Sequence, residues 1–209
     1  MINFIELGLQ GFGGMASVDD PGAGELRRKS LIIIVPIMDM DNVARGSGGK
    51  SELPHDQNRD WSDALHFPAV AAAQETIREL NARKRFHLCL DLYNCGPTDG
   101  VHFHISPQDA VSGPRWANTN RFLSQAGNKI CGPLKFEGDI RQTGANYDKA
   151  NWTTIGFNWV SMNTEDHVID PCFEIPWNMS SGDIAGYQTI GMQIGRMIEH
   201  YFRKSPEQL

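Results

Sequence analysis

The sequence has no Cys-x-x-Cys pair. Its four cysteines, Cys89, Cys95, Cys131 and Cys172, are not spaced for a zinc ribbon or a thioredoxin-type redox site. Four in 209 residues are also too few for the disulfide framework of a small secreted protein. Long apolar runs are lacking: the longest, Leu31 to Met38, falls far short of the ~20 residues that span a bilayer, so no membrane partner is expected. Positive charge is in short supply, with 19 Lys and Arg against 25 Asp and Glu and a net charge of -6, and nucleic acid is not an expected partner. The N-terminal stretch MINFIELGLQGF has neither a basic n-region nor a small-residue cleavage site, so a cytoplasmic location is expected. Disorder is excluded in turn, because that modest net charge stands beside 10 Phe and 5 Trp.

What is present is an alternation of helix and strand patterns. Ile2, Ile5, Leu9 and Phe12 fall close to helical spacing, and Asp19-Asp20-Pro21 marks the start of a helix reaching Lys29. The β-branched run Leu31-Ile32-Ile33-Ile34-Val35-Pro36 predicts a strand buried on both faces. Residues 39–62 form a polar loop, long enough to suggest function. The pattern then predicts a helix over Pro68–Lys84, strands over Phe86–Leu92 and Val101–Ser106, and a helix over 108–127 interrupted at Gly113-Pro114. Residues 128–153 read as irregular, Gly156–Ser161 and Val168–Ile175 as strands. Ile184, Tyr187, Ile190, Ile194, Met197, Ile198 and Tyr201 make the apolar stripe of a final helix. No linker or internal repeat divides the chain. The expected fold class is α/β: one domain over 1–209, three-layer α/β/α, with a mixed, mostly parallel sheet.

The long loop carries Pro54-His55-Asp56-Gln57-Asn58-Arg59-Asp60-Trp61, just beyond the run Leu31–Met38. Loops beyond strand ends are where open α/β sheets bind ligands. An arginine beside an asparagine can hold a carboxylate, because the planar guanidinium donates two parallel hydrogen bonds. Equally, Arg59 can pair with Asp56 or Asp60 and simply tie the loop down.

Taken in order, Val35-Pro36, Asp41-Asn42-Val43-Ala44-Arg45-Gly46, Asp56-Gln57-Asn58-Arg59-Asp60-Trp61, Leu90-Asp91-Leu92-Tyr93-Asn94 and Phe173-Glu174-Ile175-Pro176-Trp177-Asn178 resemble the zinc metallocarboxypeptidases, specifically their cytosolic-carboxypeptidase-like bacterial branch. The resemblance runs from about Phe4 to Arg203. It implies a partial zinc-carboxypeptidase fold and a peptide or amino-acid substrate with a free C-terminal carboxylate. Asn58 and Arg59 would bind that carboxylate, Lys50 or Arg45 would polarise the scissile carbonyl, and Glu174 would be the general base.

Zinc is the cofactor the resemblance implies, held by a His-x-x-Glu pair and a distant histidine. The His-x-x-Glu pair would lie upstream of Met1, which implies an N-terminally truncated domain. Tyr93 occupies the third-ligand position, and a phenol with a pKa near 10 is a poor zinc ligand. His102 and His104 alternate along a strand and offer a replacement pair, or else are two surface histidines. Three functions follow from this pattern: a metallocarboxypeptidase hydrolysing C-terminal residues of peptides, an inactive module that binds carboxylates through Asn58 and Arg59, or an assembly unit that self-associates through an exposed sheet edge.

Overall fold

The computed structural model describes residues 21–48, 50, 52–144 and 152–204. The helix expected near the N-terminus lies outside the described residues. Helices α1 (Pro21–Lys29), α2 (Met40–Arg45) and α3 (Pro68–Ala82) precede strands β1 (Asp91–Asn94) and β2 (Val101–Ile105). Helices α4 (Gly113–Leu123) and α5 (Ala126–Lys129), strand β3 (Phe136–Gln142), helix α6 (Gly156–Asn163), strand β4 (Cys172–Ile175) and helix α7 (Ile184–Lys204) follow.

The four strands form a mixed sheet in the order β1-β4-β2-β3. β1 with β4 and β2 with β3 run parallel, and β2 runs antiparallel to β4. β4 therefore lies inside the sheet with a partner on each side. Because side chains alternate along a strand, the register sorts them into two faces. Val101, Phe103, Ile105, Phe173 and Ile175 enter the main core with Tyr187, Ile190, Ile194 and Met197 of α7. Phe103 and Phe173 stack with ring centroids 4.5 Å apart. α1 joins this layer through Leu26 and α4 through Phe122 and Leu123.

The opposite face is covered by α6 and the turn before it. Trp152, Ile155 and Phe157 pack with Cys172, and Tyr93 lies against them. Behind α6, Trp159 and Val160 meet Ile77 of α3 together with Phe86 and Val168. Buried polar contacts fix α6 to the end of β2: Ser106 Oγ lies 2.7 Å from both Asn158 Oδ1 and Ser161 Oγ. The three-layer α/β/α arrangement and the mixed sheet match the expectation.

Five local expectations do not hold as stated. Leu31–Pro36 is not a strand, and Leu31, Ile33, Ile34 and Val35 are exposed. A strand needs a partner ladder, and none pairs with this run among the described residues, although Ile32 still packs on the core. Gly156–Asn163 is a helix rather than a strand; its residues Gly156–Ser161 are buried all round, so no apolar period marks its type. Phe136–Gln142, read as irregular, is a charged edge strand. Gly113-Pro114 starts α4 instead of breaking it, with Ser112 as the cap accepting the Arg115 N–H at 3.2 Å. The Phe86–Leu92 strand begins at Asp91, preceded by a single bridge between Leu88 and Ile169.

Candidate functional site

The register of the sheet assembles the site. Glu174 on β4 stands opposite Tyr93 of β1 on one side and His102 of β2 on the other. Cys172, two residues earlier, stands opposite Asp91 and His104. One face of three neighbouring strands thus carries Asp91, Tyr93, Cys172, Glu174, His102 and His104, a polar patch on the side away from α7.

The loop before α3 comes to this patch as a braced arm. Asp56 caps the short turn Gln57–Arg59, accepting the Asn58 N–H at 2.9 Å. Below it, Asp60 is almost fully buried and accepts from the Phe67 N–H (2.9 Å), the His66 N–H (3.0 Å) and the His55 ring (2.9 Å). Burial alone would raise the Asp60 carboxyl, yet these donors hold it below its ordinary value. His55, Asp60 and His66 have the composition of a metal group, but the Asp60 oxygens already serve backbone amides.

The candidate substrate residues divide. Asn58 acts as a strut: its Oδ1 accepts the Gly156 N–H at 2.9 Å, and its side chain hydrogen-bonds Asp91. A Cβ on Gly156 would lie 3.0 Å from the Trp61 ring and 3.3 Å from Asn58 Oδ1, a tight fit that would require the arm to give by a few tenths of an ångström. Arg59 Nη1 donates to the Asn58 carbonyl at 2.7 Å, and the Arg59 charge acts on Tyr93. Lys50 pairs with Asp56 and places its ammonium 5.6 Å from the centre of the Tyr93 ring. Arg45 turns to Asn42 Oδ1 at 2.9 Å, and its charge acts on Glu52.

Electrostatics single out the carboxyls. Burial, then the charge of Asp91, raises Glu174 to about 7. Burial, then Asp56, raises Asp91 to about 6, with the hydrogen bond from Asn58 opposing. Tyr93 is pushed up by burial and by Asp56, Asp91 and Glu174, so it stays a neutral phenol. His104 is lowered to about 4, first by burial and then by His102, so it is neutral near pH 7.

His102 Nδ1 lies 2.9 Å from the Gly100 carbonyl. A carbonyl only accepts, so Nδ1 is the donor in this contact, and Nε2 is the ring nitrogen turned toward His104. That Nε2 lies 3.3 Å from His104 Nε2. One donor atom from each of His102, His104 and Glu174 falls within 4.8 Å of the others. Glu174 Oε2 is buried with no hydrogen-bond partner. Sequence reasoning treated the two histidines and Glu174 separately and passed over Asp91 as a site residue. The His-x-His alternation was visible, but the pairing of β2 with β4 across roughly 70 residues of chain was not.

No protein-family model matches the chain, and no curated protein does. Solved structures do. The chain is similar to a metallo-carboxypeptidase from Burkholderia cenocepacia, with a TM-score of 0.76 and 15% identity over 97% of this chain and 54% of that one. It is similar to a metallo-carboxypeptidase from Pseudomonas aeruginosa, in complex with (2-guanidinoethylmercapto)succinic acid, with a TM-score of 0.73 and 17% identity over 95% and 53%. The chain spans about half the length of these structures. Its fold is the metallocarboxypeptidase fold.

No helix among the described residues is long and apolar enough to cross a membrane.

Proposed function

We propose that this chain is a carboxypeptidase-type hydrolase module that receives the C-terminal end of a peptide at the polar sheet face. The observation that carries the reading is the Lys50 ammonium over the Tyr93 ring, with Glu174 opposite Tyr93 in the ladder and the Arg59 charge acting on the same phenol. Arg59 is the carboxylate anchor, since a planar guanidinium reads the two oxygens of a chain end. Asn58 positions the arm through Gly156 and Asp91 and takes part in binding through that placement. Lys50, at the rim with its side chain 65% exposed, is poised to polarise the scissile carbonyl; Arg45, turned toward Asn42, is the weaker candidate for that task.

Glu174 is the proton carrier of this reading. A carboxyl raised to about 7 is near the working pH, where a group can take a proton from the attacking water and return it to the leaving amine.

Zinc, which the resemblance implies, would supply Lewis-acid activation of that water. The position the resemblance gives to its third ligand does not fit, because Tyr93 remains a protonated phenol there.

The test is calorimetric titration with (2-guanidinoethylmercapto)succinic acid. The wild type should bind, and Arg59→Ala should weaken binding about 10- to 100-fold, the worth of a charge-assisted hydrogen-bond pair at 1.5–3 kcal/mol. Equal affinity in the two proteins would refute the role of Arg59. Release of C-terminal amino acids from short peptides, measured in parallel, reports the hydrolytic part.

A further inference from the structure

The Tyr93 position does not fit a metal, but the adjoining strand pair offers another set of donors. Two imidazole nitrogens bound tetrahedrally at the usual Zn–N length of about 2.0–2.1 Å stand about 3.3–3.4 Å apart. His102 Nε2 and His104 Nε2 are 3.3 Å apart. The His102 ring is already oriented as metal-bound histidines are, with its other nitrogen donating to a backbone carbonyl, that of Gly100. His102 is almost fully buried, at 1% exposure, and its Nε2 faces His104 Nε2 across the gap. Glu174 Oε2, opposite His102 in the ladder, is buried and has no partner. A carboxylate oxygen left bare beside two imidazole nitrogens has an unmet need that a cation would answer.

We propose that His102, His104 and Glu174 form a divalent-metal site, with His102 Nε2, His104 Nε2 and a Glu174 oxygen as donors and a fourth position open to water or ligand. Two imidazoles and one carboxylate suit zinc, whose catalytic sites keep three protein ligands and one vacancy. The site lies on the β2–β4 side of the sheet, across Glu174 from Tyr93. It rests on the reading above only for where a substrate would lie; the donor geometry stands without it. It does compete with one part of that reading, because Glu174 cannot be ligand and proton carrier at once while the metal is held.

The experiment uses the full chain, stripped with chelator and titrated with zinc and separately with cobalt(II), whose visible absorption reports tetrahedral coordination. The expected result is about one metal per chain, as a closed donor set requires. His104→Ala and Glu174→Gln should each weaken binding by at least the 10- to 100-fold that losing an outer-shell partner costs, and should abolish the tetrahedral cobalt spectrum. His66→Ala, in the His55–Asp60–His66 group, should leave both unchanged. Circular dichroism of the stripped variants separates a lost ligand from a lost fold, and His104→Asn serves if the alanine variant unfolds. No uptake by the wild type would overturn the proposal and leave the 3.3 Å contact as an imidazole hydrogen bond. Uptake lost in His66→Ala but kept in His104→Ala would overturn it by moving the metal to the other group. Metal retained in Glu174→Gln with hydrolysis lost would overturn the ligand role and uphold the proton role. Metal bound without binding of the succinic-acid ligand would sustain this site and refute the carboxylate reading instead.

Discussion

Arg115 is where removal of one side chain should cost most. It is 2% exposed, and its guanidinium reaches the segment between α6 and β4 with five contacts. Nη1 donates to the Val168 carbonyl at 3.0 Å and to Asp170 Oδ2 at 2.6 Å. Nη2 donates to the carbonyls of Thr164 (2.9 Å) and Glu165 (2.6 Å) and to the Thr164 hydroxyl (2.9 Å). Arg115→Met keeps much of the volume but strands a buried carboxyl and three carbonyls. Breaking a buried pair in this way costs about 3–5 kcal/mol. For a chain of this size each kcal/mol lowers the melting temperature by about 2–4 °C, so the fall should be about 6–20 °C.

The loss should also depend on pH. Burial pushes Asp170 up to about 7 against the pull of Arg115. A carboxyl raised in the folded state holds more protons there than in the unfolded chain, so its contribution to stability declines as pH rises from about 4 to 7. Without Arg115 the folded value rises further, and the gap between wild type and variant should widen from pH 5 to pH 8. Thermal denaturation by circular dichroism at both pH values measures this. Adding Asp170→Asn to the variant should recover part of the loss at pH 8. A fall below about 1 kcal/mol, or equal losses at the two pH values, would refute the reasoning.

Two further expectations follow from packing. Gly156→Ala forces a methyl against the Trp61 ring at 3.0 Å and against Asn58 Oδ1 at 3.3 Å; it should cost about 1–3 kcal/mol by overpacking and weaken succinic-acid binding by displacing the arm, and an unchanged melting temperature with unchanged affinity would sink the strut role of Asn58. Ile33 and Val35 are each 53% exposed, so replacing both with Lys should alter stability by no more than about 0.5 kcal/mol each while reducing concentration-dependent association in sedimentation velocity. Identical sedimentation of variant and wild type would refute an associating role for this run.

Much of the architecture was legible where one surface of an element is wet. Val70 and Ile77 recur on one side of α3, and Tyr187, Ile190, Ile194 and Tyr201 on one side of α7, because helices half in water must sort their residues by period. The reading failed where that sorting is missing. Residues Gly156–Ser161 of α6 are enclosed on all sides, so Phe157, Trp159 and Val160 suit either strand or helix. β3 holds Glu137, Asp139 and Arg141 at the edge of the sheet, and its strand identity comes from pairing with β2 rather than from its own composition. Leu31–Val35 shows the converse: strong strand preference with no ladder beside it among the described residues leaves apolar side chains exposed. In the candidate site, Asn58, Arg59 and Glu174 were marked by motif, whereas the approach of His102 to Glu174 depended on strand order, which no local pattern encodes.

The interior position of β4 gives the two sides of the site different robustness. Cys172–Ile175 is hydrogen-bonded to β1 and to β2, so Glu174 and the facing His102 come apart only when the sheet itself opens, in the most cooperative part of the molecule. The arm bearing Arg59 is tied to that body by loop contacts instead of a ladder, the Asn58–Gly156 and Trp61–Thr154 hydrogen bonds and the packing of Trp61 on Trp159 among them. On the proposed reading, the carboxylate anchor is therefore held by loop contacts, and the central carboxyl by the sheet itself.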